Sequence, residues 1–231
     1  MKNVAIIPAR GGSKRIPHKN IINFHGRPMI GWTIQAALET EIFDKIFVST
    51  DDEEILDCAA QYPVSLLKRN GYSDDHTTVQ EATIRTLEQI KQEKGVEFDM
   101  VTQLMPTCPL RTSKDIMSAY ENYLNKGHKF QISVCEFEFL NPWWAVQEID
   151  NKPVFMYPKA LKMRSQDLAT LYCPVGAVWF ADIQQLFKER TFYGKDLGTY
   201  PIAFEHAVDI DSFGDLVLAK ALKIAEDTYD N

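Results

Sequence analysis

A chain of 231 residues, 45% hydrophobic and 25% charged, suits one large globular domain, or one domain carrying an insertion, with a core of normal size. Its net charge of −7 argues against nucleic acid as the main partner, and no apolar run of about 18 or more residues is present to span a membrane. Met1-Lys2-Asn3 runs straight into strand-like sequence without a signal-peptide core, so a cytoplasmic protein is expected.

Strand and helix patterns alternate along the chain. Residues 3–8 read as a first, buried strand. Pro28 is placed to open a helix reaching about Leu38, with Ile30, Thr33, Ile34 and Ala37 inward. Residues 45–50 form a second strand, after which Asp51 or Asp52 caps a helix through Gln61. A short third strand covers 64–67. A helix from about Thr77 to Lys94 ends at Gly95. Residues 99–104 form another buried strand, and Thr112 or Ser113 caps a helix to Lys126 that ends at Gly127. This alternation predicts a mostly parallel sheet with helices on both faces.

The rhythm changes near Phe130. Residues 131–139 form a long strand, broken by Asn141-Pro142-Trp143-Trp144, and 144–149 with 152–156 can pair as a hairpin around Asp150-Asn151. The stretch at about 139–171 therefore reads as an insertion. Its adjacent tryptophans fill either the domain's own core or a subunit interface, where aromatic clusters are typical. The alternation resumes with a strand over 175–181, a helix near 182–188, a strand near 199–204 and a last helix over about 212–225.

The chemistry starts after the first strand. Ala9-Arg10-Gly11-Gly12-Ser13-Lys14-Arg15 and Lys19-Asn20 put four cations into ten positions of an otherwise acidic chain. Paired glycines let a backbone turn sharply and approach a ligand, successive N–H groups can cup an anion, and arginine offers bidentate phosphate geometry. A nucleoside triphosphate site is predicted, against the plainer alternative of a solvated basic loop. The loop is not a Walker A sequence and contains no G-x-G-x-x-G.

Asp209-Ile210-Asp211 places two carboxylates on one side of an extended segment. Such a pair needs a cation or hydrogen bonds, and a hard ion such as Mg²⁺ shared with phosphate oxygens is the expected answer. The competing reading is that Asp211 or Ser212 merely caps the last helix. Residues 104–111, Leu-Met-Pro-Thr-Cys-Pro-Leu-Arg, lie at a strand's C-terminal end, where open α/β sheets bind ligands. Arg111 there reaches an anion or a surface carboxylate, or plays a structural part. Arg164-Ser165-Gln166-Asp167 forms a polar patch inside the insertion. Cys58, Cys108, Cys135 and Cys173 show no C-x-x-C spacing and read as reduced small hydrophobes. His18, His25, His76, His128 and His206 show no metal-ligand spacing.

Residues 7–17 with Lys19-Asn20 resemble the signature of the acylneuraminate cytidylyltransferases, the CMP-sialic acid synthetases. The resemblance continues, in the same order, at residues 43–52, at Pro106-Thr107-Cys108-Pro109-Leu110-Arg111, at Pro174-Val175-Gly176-Ala177 and at Asp209-Ile210-Asp211. The KDO cytidylyltransferases share the arginine loop but lack the Lys-Asn continuation. The resemblance implies a Rossmann-like nucleotide-diphosphosugar transferase fold, a CTP substrate, a nine-carbon sugar acid, Mg²⁺, and a homodimer whose insertion reaches the partner's active site. It assigns Arg10 and Lys19 to the triphosphate, Asn20 to the ribose and phosphates, Arg69 to the nucleotide, Arg164 to the sugar or the partner's site, and Asp209 and Asp211 to the metal. Ala9, Gly11, Gly12, Ser13, Lys14 and Gln80 complete the expected nucleotide site, and Met105, Thr107, Gln166 and Gly176 the expected sugar site.

Three positions depart from the pattern common among these enzymes. Met105 stands where many have Gln, Cys108 replaces Ser, and Val175 stands where many have Asn. These departures, with Arg164-Ser165-Gln166-Asp167-Leu168 and Leu171-Tyr172, are closer to bacterial enzymes that activate nonulosonates such as pseudaminic acid than to those specific for N-acetylneuraminate. Legionaminic acid is the neighbouring choice.

Overall fold

The apolar run at residues 4–7 has no exposed surface. It lies in β1 (Asn3–Pro8), near the middle of a seven-stranded sheet in this computed structural model, which describes residues 1–69, 71, 77–137 and 140–229. Side chains alternate across a strand, so Ala5 and Ile7 pack with Ile30 and Ile34 of α1 (Met29–Leu38) on one face. Val4 and Ile6 pack with Ile84 and Leu87 of α3 (Val79–Lys94) on the other. A strand covered on both faces must be apolar throughout, as in parallel sheets generally. Each such side chain contributes about 1.5–3 kcal/mol on burial.

Beyond β1 the sheet contains β4 (Lys45–Thr50), β5 (Ser65–Lys68), β6 (Met100–Gln103), β7 (Phe130–Glu136), β10 (Tyr172–Asp182) and β11 (Leu197–Pro201). The order is β11-β7-β10-β6-β1-β4-β5. All of these strands run parallel to β1 except β10, which is antiparallel to both β6 and β7. The mostly parallel α/β sheet is therefore as expected. Two small hairpins stand apart from it: β2 (Asn23–Phe24) with β3 (Arg27–Pro28), and β8 (Val146–Ile149) with β9 (Lys152–Phe155). The first was not anticipated. The second turns at Asp150 and Asn151, both left-handed at φ 52° and 58°, as a two-residue hairpin requires.

Local signals set the helix ends. Asp52 caps α2 (Glu53–Ala59) by accepting from Glu54 N and Ile55 N. Asp51 instead accepts from Gly11 N at 3.1 Å, so the two neighbouring aspartates divide the work. Thr112 and Asp115 form a capping box at the start of α4 (Ser113–Lys126). Gly95 and Gly127 close α3 and α4 in the left-handed conformation, at φ 62° and 69°. α5 (Ile183–Glu189) follows β10.

Several boundaries differ from expectation. α2 stops at Ala59 rather than Gln61, and the third strand starts and ends one residue later than read. The strand expected near 199–204 ends at Pro201, and residues from Phe204 form a short helix instead, α6 (Phe204–Ala207). The last helix, α7 (Phe213–Tyr229), runs further than expected. Phe139, where the strand was to end and the insertion to begin, and His76 lie outside the described residues. No helix among the described residues is long and apolar enough to cross a membrane.

Candidate active site

β1 sits between β4 and β6, so the strand order reverses there. Ligands of open α/β sheets bind outside the carboxyl ends of strands at such a point. The segments leaving β1, β5 and β6, with the start of α3 and Asp211, enclose a cleft of about 510 Å³. Among the described residues its lining carries Arg10, Lys14, Arg15, Lys19 and Arg69 against one carboxylate, Asp211. Five cations around one opening of an acidic chain make a strongly positive cup suited to polyanions.

The loop after β1 is held by its ends. Ala9 N bonds Ser49 O at 2.9 Å, and Asn20 Nδ2 donates to Arg10 O at 2.9 Å. Asn20 is thus a clamp for the loop backbone, and its Oδ1 is buried without a hydrogen-bond partner. Gly11 is required by close approach and not by a left-handed turn. Neither Gly11 nor Gly12 has positive φ, but a Cβ on Gly11 would collide with the Asp52 carboxylate. Lys19 opens a 3₁₀ turn, Lys19–Ile21, entered through His18 at φ 51°.

Asp211 faces this loop. Its Oδ1 accepts from Lys19 Nζ and its Oδ2 from Arg15 Nη2, each at 2.9 Å. Partial burial pushes its carboxyl up, but Lys19 and then Arg15 outweigh this and hold it below the ordinary value. Asp211 does not cap the last helix. Ser212 does so, exchanging bonds with Asp215 in a capping box. Asp209 is more deeply placed. Burial raises its pKa, with Asp211 adding to the effect and Thr107 and Lys19 opposing it. Its Oδ1 and the Thr107 hydroxyl are both buried, and Thr107 is the hydroxyl that faces the carboxyl. Between the two aspartates, Ile210 is fully buried and its N–H bonds Thr107 O at 2.8 Å, which fixes the pair against the 104–111 turn.

That turn is braced from below. Arg111, only 2% exposed, donates from Nη1 to Ala177 O at 2.7 Å and Met105 O at 3.3 Å. Of the alternatives left open for it, the structural one describes this geometry. Burial lowers its guanidinium pKa to about 10. Cys108 is buried beside it, with its thiol pushed far up by desolvation, which leaves no thiolate for nucleophilic chemistry. Met105 lines the cleft, and Gly176 lies so close that a Cβ there would strike the Met105 sulfur.

The cleft therefore gathers Arg10, Ser13, Lys14, Lys19, Asn20, Arg69, Met105, Thr107 and Asp211 of the expected site residues. Ala9, Gly11 and Gly176 shape it from behind through the contacts just given, whereas Gly12 is exposed, with nothing within 4 Å of the place a Cβ would take. Asp209 lies behind Asp211 and outside the lining. The side chain of Gln80 turns elsewhere: its Oε1 accepts from Thr191 Oγ1 and Phe192 N. Arg164 and Gln166 are exposed in the insertion, and Arg164 pairs with Asp167 at 2.8 Å. Neither lines the cleft of this chain. Thr77, Val79 and Ala82 do line it, and no chemical signal in their side chains singled them out. Arg15 was visible as a loop cation but was not placed in the site. No group of three or more His, Cys, Asp or Glu among the described residues could hold a metal by itself. The Asp209–Asp211 pair nevertheless fits a hard cation completed by phosphate oxygens: its donors are all oxygen, and one is buried.

In the insertion, the Trp143 indole donates to Ala169 O at 2.8 Å and its ring packs edge-on against Tyr157 at 5.0 Å. Trp144, Val146, Val154, Phe155, Met156, Leu161 and Met163 are exposed. The tryptophans do not join the core of the sheet.

Comparison with known proteins agrees with this geometry. A family model described as cytidylyltransferase matches residues 4–196. The pseudaminic acid cytidylyltransferase of Campylobacter jejuni subsp. jejuni is 37% identical over 226 residues, covering 96% of each chain. The CMP-N,N'-diacetyllegionaminic acid synthase of Legionella pneumophila is 34% identical over 234 residues, again covering 96% of each. Among solved structures, a CMP:2-keto-3-deoxy-manno-octonic acid synthetase complexed with CTP superposes with a TM-score of 0.73 at 17% identity, covering 98% of this chain and all of the other. The 4-diphosphocytidyl-2C-methyl-D-erythritol synthase of Anaerococcus prevotii does so with a TM-score of 0.63, also at 17% identity. The chain belongs to the cytidylyltransferase family, whose members transfer a nucleotidyl group.

Proposed function

We propose that this enzyme is a CMP-sugar synthetase that joins CTP to a nonulosonic acid, with pseudaminic acid as the substrate, and releases pyrophosphate. The observation that carries the reading is the five-cation cleft at the carboxyl ends of β1, β5 and β6. The two relatives named for pseudaminic acid and diacetyllegionaminic acid, which match nearly end to end, support it. So do the apolar Met105 in the lining and its contact with Gly176, at the end of the cleft expected to hold the sugar.

In this reading the anomeric hydroxyl of the sugar acid attacks the α-phosphorus of CTP in line. One P–O bond forms as the bond to the β-phosphate oxygen breaks, and the hydroxyl proton passes to solvent. Such transfers depend mainly on positioning and charge stabilisation. Arg10, Lys14 and Lys19 hold the triphosphate and stabilise the departing pyrophosphate. Arg69 orients the nucleotide. Asp209 and Asp211 would hold Mg²⁺, which when bound neutralises charge on the phosphates. Lys19 and Arg15 would then turn from Asp211 toward the anionic substrate.

We further infer that the insertion at about 139–171 pairs two copies in a homodimer and delivers Arg164 and Gln166 to the partner's sugar site. Its exposed apolar side chains support this. The protein is expected to act in the cytoplasm. Pyrophosphate release, assayed with each of the four nucleoside triphosphates and a panel of 2-keto sugar acids, tests the reading. Activity is expected with CTP and pseudaminic acid. A preference for legionaminic acid would move the substrate but keep the class. Activity only with an eight-carbon acid, or none with CTP, would overturn it.

A further inference from the structure

Arg69 is the one cleft cation that leaves from β5 and not from the first loop, and it is only 7% exposed. A buried guanidinium needs acceptors, and Arg69 finds two on a single residue of β4. Its Nε donates to Ser49 Oγ at 3.1 Å and its Nη2 to Ser49 O at 2.7 Å. Ser49 Oγ lies 2.7 Å from Thr86 Oγ1 on α3, and Thr86 Oγ1 donates to Ala82 O at 2.7 Å. The proton positions follow from counting. A hydroxyl has one proton, and that of Thr86 goes to Ala82 O. At the shared contact Ser49 must therefore donate, which leaves its lone pairs for Arg69. The chain has one direction: Arg69 to Ser49 to Thr86 to Ala82. Such chains polarise one another and stiffen the groups they connect.

Both ends of this chain lie in the cleft, since Arg69 and Ala82 each line it, while Ser49 and Thr86 in the middle are fully buried. Ser49 O also accepts from Ala9 N, the first residue of the cation loop. One serine thus sets the position of Arg69 relative to the phosphate loop. The sheet itself has no need of these hydroxyls. Ser49 and Thr86 lie on the β4–α3 side and bond each other, Arg69 and Ala82 O, and replacing both hydroxyl partners of a buried hydrogen bond by apolar groups is nearly neutral for folding, whereas removing one leaves the other to be satisfied.

We propose that Ser49 and Thr86 are positioning residues for the nucleotide, acting through Arg69 by fixing the plane of its guanidinium at the cleft. This rests on the CTP reading above and adds two residues, neither of which touches the cleft.

The test is calorimetric titration of CTP into the wild type and into Ser49→Ala, Thr86→Val, Thr86→Ser, Arg69→Ala and the Ser49→Ala/Arg69→Ala pair, with thermal unfolding as the check on folding. Ser49→Ala should weaken CTP binding about tenfold, the scale of one hydrogen bond to a charged group. Thr86→Val should weaken it by a smaller factor, and Thr86→Ser should restore it. In the Arg69→Ala background Ser49→Ala should change nothing further, because its effect passes through that guanidinium. Equal weakening with and without Arg69, or no weakening, overturns the proposal while leaving the CTP reading intact. A wild type that binds no CTP overturns both. If Ser49→Ala fails to fold, Thr86→Val against Thr86→Ser decides in the same way.

Discussion

Lys19 Nζ lies 2.9 Å from Asp211 Oδ1, joining residues 192 apart in the chain. The lysine side chain is largely buried and the carboxylate half-exposed. The pair brings the loop after β1 against the segment before α7 and so closes one side of the cleft. Before substrate binds, Asp211 keeps buried Lys19 partnered, because an uncompensated buried charge is costly.

Asp211→Ala should reduce turnover at least ~100-fold, the scale for losing one preorganised electrostatic group, and should raise the Mg²⁺ concentration needed for activity. Because Ser212 and Asp215 cap α7 without it, the helix should survive. Pyrophosphate release measured across a Mg²⁺ series, alongside circular dichroism, checks both points. An unchanged Mg²⁺-dependent rate would sink the metal assignment.

Arg10→Ala should raise the KM for CTP, because Arg10 lines the cleft. Arg164→Ala should instead raise the KM for the sugar acid, although Arg164 is exposed and pairs with Asp167 in its own chain. Each substitution removes charge-assisted bonds worth about 1.5–3 kcal/mol. Steady-state kinetics varying one substrate at a time separate the two. If both variants alter only the CTP parameters, the insertion does not meet sugar.

With the insertion pairing two copies as proposed, Trp144→Glu should yield a monomer and lower activity. Trp144 is 41% exposed, whereas Trp143 is anchored to Ala169 and Tyr157, so the substitution places a charge on an open apolar face and not in a core. A specific two-fold interface buries about 1,200–2,000 Å², with aromatic anchors dominating its energy. Sedimentation at several concentrations reads the mass directly, and a wild type that stays monomeric at tens of micromolar would remove the interface.

His206 in α6 lies 2.9 Å from Asp115 in the capping box of α4. The hydrogen bond that His206 Nδ1 donates to Asp115 raises the imidazole pKa more than burial lowers it, so folding favours the protonated ring. That contribution is fully present below the unfolded value of about 6.5 and is lost as pH rises through the higher folded value. For Asp115, burial is outweighed by His206 and Thr112, so its carboxyl is lowered and its share is lost only as pH falls into the carboxylate range. His206→Gln should therefore lower Tm most near pH ~6 and least near pH ~9. Thermal unfolding of both proteins at the two pH values tests this, and a pH-independent penalty would show that the charge contributes nothing.

Much of the site was legible in the sequence because its signals are local. The cation loop and the turn at residues 104–111 each leave a strand end, where open α/β sheets place ligands, and the Asp209-Asp211 pair is a two-residue pattern readable on its own, in the segment between α6 and α7. The residues that reading missed, Thr77, Val79 and Ala82, are small or aliphatic, and only the docking of α3 against the sheet makes them cleft wall. Ser49 and Thr86 were invisible for the same reason: an isolated hydroxyl carries no signal until its partner is known.

The sequence by itself determined the alternation of elements, since periods of 2 and 3.6 are written in consecutive residues. It also determined most helix ends, since a cap acts within one turn: Asp52, Thr112, Gly95 and Gly127 are examples. Tertiary structure alone decided that β10 runs antiparallel, because strand direction depends on how the chain returns and not on the strand's own residues. It decided that Ser212 caps the last helix and leaves Asp211 to Lys19 and Arg15, a choice between neighbours with equal local propensity. It also decided that Gly11 is needed for its closeness to Asp52 and not for a turn. Each of these is settled by a contact between residues far apart in the chain, and such contacts exist only once the sheet has assembled.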